Sequence, residues 1–167
     1  MNSIIVDSIK SATGKFPTSN DSTSLKVIYD HKSETEADIY VDADRSKISQ
    51  VLHNLLNNAF KFTDEGIITI SVKRDVNRAE NKKAIVVSVK DMGKGIDPEI
   101  LPRLFTKFVT KSFAGTGLGL FISRYIVEAH GGSIWAENNL DGKGATFNFS
   151  LPVTMKMGNS YLYNTGD

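Results

Sequence analysis

The sequence predicts an α+β fold: a two-layer α/β sandwich, with a mixed, mostly antiparallel sheet covered on one face by three helices. Three observations predict it. A long segment, Arg45 to Phe62, carries apolar residues at steps of three and four, the signature of an amphipathic helix. Short β-rich runs come in pairs, Ile67–Val72 with Ala84–Lys90 and Ser133–Glu137 with Ala145–Leu151, each pair joined by a polar connection. Runs of strands separated by runs of helices favour segregated layers over alternating β-α units. The 167 residues, 40% of them hydrophobic, suit one domain with its own core.

Taken in order, residues 1–24 read as a linker or flexible N-terminal segment, with a short helix at Ser3 to Lys10. Ser11 to Ser24 is rich in Ser, Thr and Asn and reads as a loop. The domain is expected over residues 25–153. Leu25–Asp30 alternates as a strand, His31 to Asp38 is a polar turn, and Ile39-Tyr40-Val41 is a second short extended piece. Asp44 is positioned to cap the helix from Arg45 to Phe62, whose core face is Ile48, Val51, Leu52, Leu55, Leu56, Ala59 and Phe62. Asp64-Glu65-Gly66 ends it. The strand Ile67–Val72 follows, then a charged hairpin connection from Arg74 to Lys83, then the strand Ala84–Lys90. Pro98 opens a short helix, Glu99 to Phe105. A further helix after Gly117 buries Leu118, Phe121, Ile122, Tyr125, Ile126 and Ala129, and stops at Gly131-Gly132. The final hairpin turns over Asn138 to Lys143, and residues 154–167 read as a C-terminal tail.

Composition excludes several classes. The 20 basic and 19 acidic residues give a net charge of +1, which offers no electrostatic footprint for nucleic acid. The absence of cysteine removes disulfides, thiolate metal sites and cysteine nucleophiles, and fits a reducing cytoplasm. No apolar run approaches the roughly 18–20 residues of a membrane span, and Met1 to Asp7 lacks the basic start of a signal peptide.

Two glycine clusters carry the chemistry. The strand ending at Lys90 delivers Asp91, followed by Met92-Gly93-Lys94-Gly95-Ile96. About twenty residues later Gly115-Thr116-Gly117-Leu118-Gly119-Leu120 runs into a helix. The pattern is neither a P-loop nor G-x-G-x-x-G, since Leu120 stands where the last glycine would be. An acid at a strand end can accept from an exocyclic amino group, glycines admit a flat ring, and amides at a helix start meet phosphate. Taken singly, Asp91 also reads as a turn acid and Gly115 to Gly119 as a packing turn. On the first long helix Asn54, Asn58 and Lys61 stand at i, i+4 and i+7 and form a polar stripe beside the apolar face. The stripe alone also reads as a solvated flank, although two asparagines inside a helix run against propensity.

Together, Asn54 to Phe62, the Asp-Met-Gly-Lys-Gly run, Phe105 with Phe108, and Gly-Thr-Gly-Leu-Gly-Leu resemble the ATP-binding catalytic domain of sensor histidine kinases. That domain shares a superfamily with DNA gyrase B, mismatch-repair ATPases and heat-shock chaperones. The resemblance covers about Tyr40 to Val153 and implies a Bergerat-type ATP-binding fold. It implies that Asn58 holds magnesium against the phosphates, with Asn54 and Lys61 at the phosphate end. It implies that Asp91 reads adenine, with Gly93, Gly95 and Ile96 against the ring. Phe105 and Phe108 match lid anchors, and Gly115, Thr116, Gly117, Leu118 and Gly119 match the phosphate loop. Lys111, in the short lid from Val109 to Ala114, is a further candidate for the phosphates, or else a solvated loop lysine. Met92 stands where the family often has asparagine or threonine.

The implied function is Mg-ATP binding and donation of the γ-phosphoryl group to a histidine on a separate dimerisation domain, with a response regulator downstream. ATP and Mg2+ are the expected cofactors, and the isolated domain is expected to be a cytoplasmic monomer. His31, His53 and His130 are expected to be structural or solvated, and His130 also suits a helix C-terminus as a partial positive charge. The first 40 residues leave no room for a helical hairpin bearing an acceptor. An ATP-hydrolysing machine and an anti-sigma-type serine kinase of the same superfamily are the alternatives. The former needs a glutamate four residues before the magnesium asparagine, where this chain has Asn54.

Overall fold

The computed structural model describes residues 25–30, 41–77, 82–109 and 116–153. Five strands form one sheet: β1 (Leu25–Asp30), β2 (Gly66–Asn77), β3 (Lys82–Lys90), β4 (Ser133–Asn138) and β5 (Ala145–Pro152), in the order β1-β2-β3-β5-β4. β1 runs parallel to β2, and the other pairs are antiparallel. The expected mixed sheet is therefore present.

Register places the core. Tyr29 lies opposite Ile70, Ile70 opposite Val89, Val89 opposite Phe147 and Phe147 opposite Ala136, so one row crosses all five strands on one face. The next row contributes Val72, Val87, Phe149 and Ile134. Helix α1 (Arg45–Phe62) lays Ile48, Val51, Leu52, Leu55, Leu56 and Ala59 onto this face, all essentially inaccessible to water. Helix α2 (Gly119–Ala129) adds Ile126 and Val127 and packs beside α1. Phe62, expected on the apolar face of α1, is instead 41% exposed at its last turn. On α2, Tyr125 is 70% exposed, so the core face is narrower than its apolar residues suggested.

The ends of the helices are tied to each other. Asp44 accepts from the backbone N–H of Ser46 (2.8 Å) and Lys47 (3.2 Å), capping α1 as its position predicts. The N–H bonds of Lys47 and Ser46 hold its carboxyl below the ordinary value. His130, at the C-cap of α2, accepts the Asp44 N–H on Nε2 at 3.1 Å, while its Nδ1 faces the Ile126 carbonyl at 2.7 Å. A carbonyl can only accept, so Nδ1 is the donor and Nε2 offers a lone pair. His130 is structural, as expected, and joins the two helix ends through both of its ring nitrogens.

Three elements depart from the sequence reading. Among the described residues two α-helices cover the sheet. The expected third, Glu99 to Phe105, is a run of turns, mostly i→i−3 with a single i→i−4 bond from Leu101 to Asp97, and one 3-10 turn at Leu101–Arg103. Pro102 has no N–H to continue an α ladder, and Asp97 gathers the preceding amides of Glu99, Ile100 and Leu101. The charged connection from Arg74 to Lys83 is mostly strand: Arg74 pairs with Ile85, Asp75 with Ala84 and Asn77 with Lys82. Val41 lies in a loop. The readings for residues 1–24, His31 to Tyr40 and 154–167 lie outside the described residues.

Phe149 sits fully buried between Val87 and Ile134 in the middle of the sheet. Phe149→Ala is expected to lower the unfolding free energy by about 3–5 kcal/mol, measured by urea titration with an unchanged m-value.

Candidate functional site

A cavity of about 280 Å³ opens between α1, the Asp91–Leu104 segment and the start of α2. Its deep end is Asp91, the residue after β3, which is 3% exposed. One carboxylate oxygen, Oδ1, accepts two backbone N–H bonds, from Gly93 (2.9 Å) and Ala145 (3.1 Å). The Asp91 N–H in turn donates to the Ala145 carbonyl at 2.9 Å, so the sheet itself locks the residue. Oδ2 has no hydrogen bond with any described residue, and Asp91 lines the cavity. Burial raises its carboxyl above the ordinary value, and the two N–H bonds pull the other way with less effect. The result is one aimed, poorly solvated acceptor.

Two asparagines of the β4–β5 hairpin hold this turn. Asn139 Nδ2 donates to the Asp91 carbonyl at 2.8 Å, and Asn138 takes both backbone groups of Ile96, accepting its N–H at 2.6 Å and donating to its carbonyl at 2.8 Å. Gly144 passes so close to the Asp91 carbonyl that any Cβ there would collide with backbone. Gly95 and Ile96 line the cavity, and Ile100, Leu104 and Phe147 add apolar wall. An apolar slot ending in one acceptor suits a flat base carrying an amino group.

The other end is polar. Asn54, Asn58 and Lys61 all line the cavity from α1, so the stripe faces the site and not bulk solvent alone. The Asn58 side chain has no hydrogen bond with any described residue, which leaves its amide oxygen available to a cation. No group of three or more His, Asp or Glu able to hold a metal occurs among the described residues. A single amide oxygen fits Mg2+, which keeps waters and takes its remaining ligands from phosphate. Asn54 is already engaged: its Nδ2 donates to the Gly119 carbonyl and to Ser123 Oγ, each at 3.1 Å. The Lys61 ammonium lies 5.6 Å from the Phe62 ring centre, at the rim.

Facing this stripe is the start of α2. Its N-cap, Leu118, supplies no side-chain hydrogen bond, so the first-turn amides are uncapped where Gly119 and Leu120 meet the cavity. Such a terminus favours an anion. Thr116 and Gly117 line the cavity just before it. Gly117 has φ +66°, and a Cβ there would strike the backbone of Phe108. Phe108 donates its N–H to the Gly117 carbonyl at 3.1 Å, itself has φ +63°, and is 72% exposed.

Comparison with known proteins agrees with this geometry. Residues 43–155 match the family described as histidine kinase-, DNA gyrase B-, and HSP90-like ATPase. The chain belongs to this ATPase family. It is 43% identical over 124 residues to the sensor histidine kinase WalK of Bacillus subtilis, covering 70% of this chain and 20% of WalK. It therefore spans about a fifth of that relative's length. The catalytic domain of histidine kinase ThkA, solved free of nucleotide, is 33% identical with a TM-score of 0.73, covering 90% of this chain and 95% of that one. Full-length ShkA, solved with AMPPNP, is 25% identical with a TM-score of 0.72, covering 90% of this chain and 30% of ShkA. The fold is thus that of a histidine kinase catalytic domain.

Within this ATPase domain the expected site residues separate into three groups. Asn54, Asn58, Lys61, Asp91, Gly95 and Ile96 converge on the cavity, as do Thr116, Gly117 and Gly119. Gly93, Leu118 and Phe108 do not line it: Gly93 acts behind Asp91, Leu118 is the N-cap, and Phe108 faces solvent. Of the two residues expected as lid anchors, only Phe105 packs against the core. Lys111 and Gly115 lie outside the described residues. His53 does not line the cavity, and His31 lies outside the described residues. Asn138, Asn139, Gly144 and Ser123 were missed. Only Gly144 carried a sequence signal, as a glycine directly before the last strand.

The raised carboxyl of Asp91 has a consequence for stability. A folded-state value above the unfolded one adds stability below the unfolded value, and that increment is lost as pH rises through the folded value. Ionisation of this buried carboxyl therefore costs stability. Asp91→Asn keeps an oxygen for the Gly93 and Ala145 amides. Without nucleotide it is expected to melt no lower than wild type at pH 7 by differential scanning calorimetry. A clear fall in Tm would contradict that account.

Proposed function

We propose that this chain binds Mg-ATP and donates the γ-phosphoryl group to a histidine on a separate dimerisation domain of a two-component sensor kinase. The observation that carries the proposal is the two-ended cavity: a bare buried acceptor at one end, an uncapped helix start facing Asn58 and Lys61 at the other. Its supports are membership of the ATPase family, the histidine kinase names of its relatives, and the AMPPNP held by ShkA.

In this reading the adenine amino group donates to Asp91 Oδ2, and the ring lies between Gly95–Ile96 and the apolar wall. The triphosphate runs toward α2, where first-turn amides take phosphate oxygens. Asn58 would hold Mg2+, which supplies charge neutralisation across the phosphates. Lys61, at the rim, offers a further positive charge. An imidazole nitrogen from the partner attacks the γ-phosphorus in line, a P–N bond forms, the bond to the β-phosphate oxygen breaks, and ADP departs. The protein's share is positioning and electrostatics. A response regulator downstream, and a cytoplasmic position for the domain, belong to the same proposal. No described helix is long and apolar enough to cross a membrane. The hydrolytic alternative finds no support at Asn54, an amide that cannot act as a base.

Guanine carries a carbonyl where adenine has its amino group, so Asp91 is expected to prefer ATP over GTP. Asp91→Asn turns the free acceptor into an amide donor facing another donor. Loss of a buried charge-assisted hydrogen bond, worth about 1.5–3 kcal/mol, is expected to weaken ATP roughly ten- to a hundredfold by calorimetry. Equal wild-type affinity for ATP and GTP would sink the base assignment.

The second test concerns transfer. Incubated alone with γ-labelled ATP, the chain is expected to stay unlabelled. With a histidine-bearing dimerisation domain supplied, acid-labile label should appear on that domain. Asn58→Ala, folded by circular dichroism, should abolish the transfer. Full transfer by that variant would remove Asn58 from the metal role.

A further inference from the structure

We propose that Ser123 is a positioning residue for the triphosphate, and that Asn54 acts through Ser123 and Gly119 and not as a phosphate ligand. The inference rests on the reading of the cavity as an ATP site. Ser123 is buried to 0% exposure on the face of α2 turned toward α1, and the other buried residues of that helix, Ile126 and Val127, are apolar. Its hydroxyl donates to the Gly119 carbonyl at 3.0 Å and accepts from Asn54 Nδ2 at 3.1 Å. Asn54 Nδ2 also donates to the same Gly119 carbonyl at 3.1 Å. The three residues close a triangle of hydrogen bonds between the two helices.

Chemistry fixes the sense of the amide. The Gly119 carbonyl has only lone pairs, so the Asn54 –NH2, and not its oxygen, must face it. Both protons of that group are then engaged on α2. The remaining Oδ1 is an acceptor, and phosphate oxygens are acceptors too, so no direct hydrogen bond joins them. Asn54 can still matter to phosphate by another route. Gly119 is the first residue of α2, whose uncapped amides face the cavity, and Asn58 stands one helical turn along α1 from Asn54. The triangle therefore sets where the anion-binding helix start lies relative to the cation-binding asparagine. Deleting the Ser123 hydroxyl removes one corner, leaves an Asn54 N–H unpartnered, and frees the first turn of α2 to shift. The Asp91 end, built on β3, β5 and the β4–β5 hairpin, shares no hydrogen bond with the triangle.

The full chain is titrated calorimetrically with adenosine and with ATP plus Mg2+, as wild type, Ser123→Ala and Ser123→Cys. Wild-type binding of ATP tests the nucleotide reading, and the ratio across variants tests the triangle. Ser123→Ala is expected to weaken ATP about five- to tenfold while leaving adenosine within about twofold. Ser123→Cys keeps the volume with a poorer hydrogen-bonding atom and should show the same selective loss, reduced. Adding Asn54→Ala to Ser123→Ala should cost less for ATP than Asn54→Ala costs alone, because the pair acts as one unit. Equal loss of adenosine and ATP would make Ser123 a packing residue. Unchanged ATP affinity, or additive effects of the two substitutions, would likewise overturn the proposal.

Discussion

The site depends on one half-satisfied carboxylate. Asp91 is buried because it continues β3, a central strand, and β5 runs alongside it. A carboxylate taken out of water is costly unless its oxygens are met. Two backbone amides meet Oδ1, and nothing among the described residues meets Oδ2. The unmet oxygen is stored desolvation, released when a donor arrives. Because Ala145 of β5 supplies one of the amides, the β3–β5 register and the site are a single constraint. A slip of one residue would turn the core row Val89–Phe147 outward and unseat Asp91 at the same stroke.

Helix α1 carries the second constraint, since one element serves core and site together. Its apolar face is wholly buried, while Asn54, Asn58 and Lys61 line the cavity from the adjoining stripe. Asparagine costs helix stability in such positions. The helix tolerates it because tertiary packing, and not intrinsic propensity, supplies most of its stability. The cap at Asp44 and the His130 bridge fix one end of the helix pair, where α1 starts and α2 stops, and Asn54 joins α1 to the start of α2 through Gly119 and Ser123.

Much of this was legible in the chain. The three-four periodicity of α1, the capping acid and the paired β runs are local signals that fall where expected, while of the glycine clusters Gly95, Gly117 and Gly119 reach the cavity and Gly93 does not. The misreadings have physical reasons. Arg74 and Asp75 looked like turn because they are charged, yet an antiparallel pair extending beyond its core accepts charge on exposed positions. Glu99 to Phe105 looked helical at its start because Pro98 suits a first turn. Pro102 then removed the amide an α ladder needed. Asn138, Asn139 and Ser123 were silent because the partners that tie them to the site lie 42, 48 and 69 residues away in sequence. A hydrogen bond between distant elements leaves no periodic trace.

The two ends of the cavity are built differently, and the difference suits the group transfer proposed for it. The Asp91 end is cross-braced by strand pairing, by Asn138 and Asn139, and by the close pass of Gly144, so it has little freedom to adjust. The phosphate end rests on an uncapped helix start, a left-handed glycine, and Phe108, an aromatic residue held at positive φ with its ring in solvent. A non-glycine residue in that region stores backbone strain, and an exposed aromatic gains nothing from burial. Both features raise the energy of the ligand-free backbone at this end, whereas the cost at the Asp91 end is an unmet oxygen on a rigid frame. In the proposed reading, a base clamp with that asymmetry holds the nucleoside while Phe108, Thr116 and Gly117 adjust around the phosphates. The γ-phosphoryl group would then remain accessible to an acceptor from outside, which an equally rigid enclosure at both ends would deny.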